Sequence, residues 1–480
     1  MFCNQRVRVL VGPLAVLLTL LVGFARPVPG QTAGTSVPSV QAQSPFLGSV
    51  PSGEATGTPL PLSLKEAFDR ALKYNLGVIE SDQNTRLARA AKLRTLSALV
   101  PNITARVSAT IEQINLAALG LPVSQFPGIP AIVGPFSIAD ARGYLSQQVF
   151  NWSDLKSFKS SAEAAKASVL SYKSDRDFVI LVTGNAYLQV IADGANVDSD
   201  RAQVKTAQTL YDQAVDQNKA GVIASIDALR AHVQLQTQQQ TLIAAENQLS
   251  IDKLTLARVI GLATGQEFQL TDFVPYAPLT GITLDQALQQ AYVTRPDYLS
   301  AKAQVRSAEL ARQAAAAQNY PSLSLNTDYG DIGSPNFATS HGTFTFAGSL
   351  NIPIFQGTEV RAAKLQADAA LQQRKAELEN LRGSIDDQVR TAFFNLNSSS
   401  ELVAVAKSNI DLANQTLTQA QDRFQAGVAD NLSVVQAQQS VASANQSYIA
   451  SLYSFNLAKI SLAQAIGIAE QSGLQYLGVR

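Results

Sequence analysis

Between Pro135 and Pro275, and again after Pro353, this 480-residue chain contains no proline. Proline breaks helix interiors, so gaps of this length permit helices far longer than those of ordinary domains. A continuous helix from 154 to 219 would run about 100 Å at 1.5 Å per residue. Ala, Gln and Ser are abundant, and such residues suit long helices packed closely on one another better than a large globular core.

The same landmarks occur twice. Leu64, Ala67 and Ala71 recur as Leu284, Ala287 and Ala291, and Pro101 recurs as Pro321, with 321 − 101 = 220. Further on, Val149-Phe150 matches Ile354-Phe355 at an offset of 205. Ala220-Gly221-Val222 matches Ala426-Gly427-Val428, with 427 − 221 = 206, and Ile260-Gly261 matches Ile466-Gly467 at that same offset. The change of offset between Pro101 and Val149 means that copy one carries about fifteen extra residues there. They fall within 116–136, a Pro- and Gly-rich segment that reads as an enlarged loop.

Gly221 and Gly427 mark turns between paired long helices, and Ser225 and Asn431 are the candidate N-caps of the returning helices. Those returning helices carry a strict heptad stripe. Leu235, Leu242, Leu249 and Leu256 form it in copy one, and Val441, Tyr448, Phe455 and Leu462 in copy two. A sustained seven-residue repeat holds one face against a neighbouring helix.

Each copy also predicts two strands between its first helix and its long helix. Ile103, Ala105, Val107, Ala109 and Ile111 alternate with polar residues, as do Ala139, Ala141, Leu145 and Val149. In copy two Leu323 and Leu325, then Phe344, Phe346, Leu350 and Ile352, do the same. Period two with one apolar and one polar face suits either a soluble sandwich or an outer-membrane barrel. Four strands are too few for either alone. If they enter lipid, where open sheet edges are forbidden, several chains must share one barrel. No stretch after the leader reads as apolar long enough to span a bilayer as a helix.

The N-terminus reads as a secretory signal over 1–30, with Arg6 and Arg8 before an apolar run and small residues at Val28-Pro29-Gly30. Residues 31–61 are rich in Pro, Gly, Ser and Thr and read as a flexible leader. The remaining boundaries are 62–272 for the first repeat, 273–282 for a linker, 283–470 for the second repeat and 471–480 for a tail. The single cysteine, Cys3, leaves with the signal, so a mature chain has neither disulfide nor thiol nucleophile. Lys+Arg 37 balance Asp+Glu 37, which gives no electrostatic footprint for nucleic acid.

Taken in order, these features resemble the TolC-like outer membrane efflux family. The carriers are Leu64-x-x-Ala67-x-x-x-Ala71-x-x-x-Asn75, the strand-start prolines Pro101 and Pro321, Ile352-Pro353-Ile354-Phe355, and the tip segments Ala220-Gly221-Val222 and Arg423-Phe424-Gln425-Ala426-Gly427. No single motif is specific, but helix, two strands, long helix, Gly turn, helix, given twice, is. The resemblance implies a mainly α fold with a membrane β-barrel. Long coiled-coil hairpins would form an α-barrel, and four strands per protomer would complete a twelve-stranded barrel in a homotrimer. It also implies a passive export duct in the outer membrane of a Gram-negative-type bacterium, with its helices in the periplasm. Its partners would be a periplasmic adaptor and an inner-membrane transporter. Under that reading Leu323, Leu325, Phe344 and Phe346 face lipid, and Gly221, Val222, Gly427 and Val428 form the docking tips. The tunnel constriction would involve Asp227, Ser433, Gln436 and Asp430. Relatives with an acidic ring would have acids at the positions of Ser433 and Gln436, and a basic residue at the position of Ala429.

Enzyme chemistry has little support. His232 reads as a solvated helix residue and His341 as a loop residue, and no triad, phosphate loop or metal set is visible. No cofactor is expected. The competing reading is a periplasmic coiled-coil adaptor or scaffold without a barrel.

Overall fold

The computed structural model describes residues 44–120, 128, 130–272, 276–279, 281–334, 339–426, 428 and 431–478. The expected signal, the start of the leader, and Gly427, Ala429 and Asp430 lie outside the described residues. The leader holds a 3-10 turn Pro45–Leu47 and the start of β1 Leu60–Leu62, and the first repeat runs on through α1 Leu64–Tyr74, α2 Leu76–Leu96, β2 Asn102–Asn115, β3 Ile132–Phe150, α3 Trp152–Lys219, α4 Ser225–Ile260 and β4 Phe268–Leu270. The second runs α5 Leu284–Thr294, α6 Pro296–Ala317, β5 Ser322–Gly333, β6 His341–Asn351, α7 Glu359–Gln425 and α8 Asn431–Ile466, and then comes α9 Ala469–Leu477.

The duplication is visible in the caps. At the start of α1, Ser63 Oγ accepts from the Glu66 amide while the Glu66 carboxylate accepts from the Ser63 amide. Thr283 and Gln286 repeat this capping box at the start of α5, 220 residues on (283 − 63 = 220). Both opening helices break after 11 residues. In copy one the break is at buried Asn75, whose Oδ1 accepts from the Gly77 amide at 3.0 Å and whose Nδ2 donates to the Phe46 carbonyl at 2.8 Å. In copy two Arg295 takes that place. It is also buried, and its guanidinium donates to Ala465 O, Gln388 Oε1 and the Asp297 carboxylate. The returning helices end alike. Gly261 (φ +68°) and Gly467 (φ +83°) are left-handed, and a Cβ there would come within 2.7 Å of Tyr74 Cβ and of Arg295 Cα respectively.

Two apolar clusters fix the helices. One gathers Leu64, Phe68, Tyr187, Ile260 and Ile460, with Tyr187 Oη donating to Leu62 O at 3.0 Å. The other gathers Ile385, Val389, Phe455, Leu462 and Ile466. The heptad stripe runs into both: Leu235 and Leu256 are buried on α4, and Phe455 and Leu462 on α8. Against expectation, α3 holds one stretch apolar and long enough to cross a membrane, but half of it is buried within the protein. Val179, Ile180, Tyr187 and Leu188 lie in the first cluster, so this apolarity belongs to the interior.

Other boundaries also shift. The leader is not free from 44 onward. Phe46 meets Phe178 edge-on at 5.0 Å, the Val50 amide donates to Tyr74 O, and β1 pairs in parallel with β4. A few apolar side chains and a backbone ladder tie down a segment whose Pro and Gly content suggests freedom. The expected tail from 471 lies mostly within α9, which starts at Ala469, inside the expected second repeat, and buries Ala469 and Leu477. The Glu470 amide donates to Asp177 Oδ1 at 2.8 Å, and Arg176 grips the Glu470 carboxylate with two nitrogens. The extra residues of copy one are only partly loop, because β3 starts at Ile132 and absorbs their end. Ser225 is the first residue of α4, and the cap position is Ala224 with no side-chain cap. Asn431 likewise opens α8 as a helical residue.

Candidate functional site

The four long strands form one antiparallel sheet in the order β2-β3-β5-β6. Its register aligns Ile103 with Leu145, Val107 with Ala141, Tyr329 with Phe344, Thr327 with Phe346 and Leu323 with Leu350. Paired residues share a face, so these side chains fall on one side of the sheet. That side is bare and mostly apolar, with Thr327, Gln147 and Asp331 as its polar members: Val107 and Ile111 are each 77% exposed, Phe344 78% and Phe346 72%. Leu323 and Leu325 also lie on it, more sheltered than the phenylalanines.

The opposite side is polar. Asn326, Asp328, Thr343 and Thr345 stand there beside Thr104, Arg106, Asp140 and Arg142. Arg142 donates through Nε and Nη2 to the two Asp140 oxygens at 2.8 and 2.6 Å, and through Nη1 to Asp328 Oδ1 at 3.0 Å. Arg106, directly across from Arg142, lies over the Tyr144 ring at 5.7 Å. The sequence alone does not disclose this charged network. It shows Asp140 and Arg142 only as polar members of an alternation, and the alternation of β5 is legible no further than Asn326. The outer sides of the edge strands β2 and β6 pair with no strand among the described residues.

At the sheet's junction with the helices, Trp152 is the first residue of α3, 6.3 Å from the Phe150 ring, with Lys156 over it at 5.0 Å. Ile354 and Phe355, the matched pair in copy two, are among the most exposed apolar residues. His341 opens β6 opposite Ile332 instead of lying in a loop. His232 is not simply solvated, because its ring stacks on Tyr211 at 4.7 Å.

The tips lie at the other end of the long helices. After α3 the chain turns at Gly221 (φ +73°) with Val222 exposed, and Val428 is exposed in the turn between α7 and α8. Asp227 is in the first turn of α4, where Arg230 Nη1 comes within 3.4 Å of its Oδ1. The Ala429 position suggests an Asp227 without a basic partner, and the structure corrects this: the cation comes from its own helix, three residues on. Ser433 and Gln436 are exposed near the start of α8, while Val434 and Ala437 beside them turn inward. Among the described residues no group of three or more His, Cys, Asp or Glu could hold a metal.

A sequence profile described as outer membrane efflux protein matches residues 69–262 and 287–468, the two repeats in turn. The chain belongs to the outer membrane efflux protein family. It is thus an outer-membrane channel of tripartite efflux systems. Among curated relatives, the outer membrane protein TolC of Vibrio cholerae is 24% identical over 382 residues, covering 77% of this chain and 85% of the relative. The pyoverdine export outer membrane protein OpmQ of Pseudomonas aeruginosa is 24% identical over 437 residues and 88% of each chain. Among solved structures, the CmeC outer membrane channel of Campylobacter jejuni shares the fold with a TM-score of 0.73 at 17% identity, over 89% of this chain and 92% of that one.

Proposed function

We propose that three copies of this chain close their sheets into one twelve-stranded barrel (3 × 4 = 12) and continue as a helical tunnel, giving a passive, non-enzymatic duct. The observation that carries this reading is the sheet. It has an exposed apolar face, a polar face and two unpaired edges, a combination stable in lipid only when the edges meet other strands. Exposed apolar residues on the long helices support the same association: Ile243, Ile251 and Leu254 on α4, and Phe394, Leu402 and Val405 on α7. An adaptor without a barrel has no use for the apolar sheet face.

In this assembly Leu323, Leu325, Phe344 and Phe346 face lipid, and Arg106, Arg142 and Asp328 line water. Gly221, Val222, Gly427 and Val428 form the end that meets a periplasmic adaptor and, through it, an inner-membrane transporter. Asp227 of each copy, with Ser433, Gln436 and Asp430, surrounds the tunnel mouth. Three carboxylates near one axis repel, and the Arg230 beside each lessens that repulsion.

Cysteines introduced in pairs, one on β2 and one on β6 of each chain, and oxidised in detergent-extracted protein test the assembly. Paired variants should yield ladders ending at three chains on denaturing gels. Cross-links within a single chain, or none with the sheet still protected from hydrogen exchange, would overturn it.

A further inference from the structure

The long helices bury several acids that the duct does not call on. One of them, Asp193 of α3, is 6% exposed, where α3 packs on α4 and α8. Its Oδ1 accepts from Gln189 Nε2 at 3.0 Å. Its Oδ2 is buried and meets no donor among the described residues. Within hydrogen-bonding reach of this carboxyl lies a second one, that of Asp252 on α4, whose Oδ2 accepts from Gln248 Nε2 at 2.8 Å. Two acceptor-only carboxylates cannot bond to each other, whereas a carboxylic acid can donate to a carboxylate.

We propose that Asp193 and Asp252 hold one proton between them, and that this proton is a pH-sensitive latch joining α3 to α4 beside α8. It lies within a single chain, so it does not depend on how copies assemble.

The surroundings leave the pair no other source of balance. On its own helix Asp193 meets Gln189, and α4 presents Asp252. From α8 the facing titratable group is Tyr453, which donates to Asn185 Oδ1 at 2.6 Å and feels both acids. Arg201, about two turns further along α3, is taken up by Glu246 and Asp198. Lys459 on α8 is shifted by burial alone, with no acid contributing. Among the described residues, therefore, no cation answers the pair. Burial first, then the hydrogen bond and charge of Asp252, push the Asp193 carboxyl up to about 6.

An acid whose folded value lies above its unfolded one binds more protons when folded, so its contribution to stability falls as pH rises between the two. Here that window runs from the ordinary aspartate range to about 6. Below it the latch is closed. Above it two like charges face each other, and α4 loosens from α3.

Isotope-edited infrared spectroscopy of the full chain in detergent tests this. A protonated-carboxyl stretch should be present at pH 5 and lost by pH 8, and D193N, whose amide can donate to Asp252 without titrating, should lack one carboxyl of that intensity while keeping what Asp177, another acid that burial pushes up to about 6, contributes. D193N should also abolish the rise in hydrogen exchange of residues 246–256 that wild type shows between pH 5 and pH 8. A wild-type spectrum identical at pH 5 to that of D193N would overturn the proposal. So would a midpoint in the ordinary carboxylate range, or one that shifts with added Mg²⁺, which would give the pair to a cation.

Discussion

Phe346 shows what one residue would contribute to the lipid-touching wall of the proposed barrel. It is opposite Thr327, two pairs from Phe344 and Tyr329, on a face made mostly of Ile, Val, Leu, Ala and Gly, with Asp331 and Gln147 as its polar members beside Thr327. Phe346→Arg should cost roughly 2–4 kcal/mol if the residue lies near the bilayer midplane, and much less near an interface. Single cysteines separate the faces: a membrane-impermeant thiol reagent should label position 345 and spare 344 and 346. Rapid labelling at 346 with protection at 345 would reverse the assignment. This face is legible in the sequence because period-two alternation is a local property of a strand. The Arg142 bridge from Asp140 to Asp328 is not, since its acids come from strands far apart in the chain and only the register brings them together. The Asp193–Asp252 contact escapes a linear reading for the same reason.

The helical hairpin is the element that the proposed tunnel rests on. Helices α3 and α4, and α7 and α8, run without proline, and their heptad stripes face inward, as the proline gaps and the seven-residue repeat require. Legibility fails at the ends. Residue type alone makes Ser225 a cap, but the backbone puts the cap one residue earlier, on Ala224. At Gly221 a Cβ would meet nothing within 4 Å, so only its positive φ resists replacement. At Gly467 the Arg295 backbone also stands in the way. Gly467→Ala should therefore lower the melting temperature of the purified protein by several degrees, a cost of about 1–3 kcal/mol. Gly221→Trp should leave folding nearly intact and reduce export at unchanged surface abundance. Equal thermal losses in the two variants would contradict this division between a packing glycine and a tip glycine.

At the scale of the whole molecule, the two repeats are tied together by the last helix. Helix α9 belongs to neither repeat's pattern, which is why composition alone reads it as tail. Yet its Glu470 is clamped by Arg176, and its amide satisfies Asp177, whose carboxyl burial pushes up to about 6. Ending the chain at Ile468 would uncover Asp177 and the contacts of Ala469 and Leu477. That truncation should hasten proteolysis within α3 and lower the melting temperature, while one ending at Leu477 should do neither. The unpaired edges of the sheet carry a further consequence, for biogenesis. A solitary chain displays along β2 and β6 backbone groups that water can satisfy and hydrocarbon cannot. In the proposed assembly, newly exported chains must therefore find one another before or while they enter the bilayer. The yield of inserted channel should accordingly climb more steeply than in proportion to the rate of synthesis, and chains left single in the periplasm are the ones its proteases would reach first.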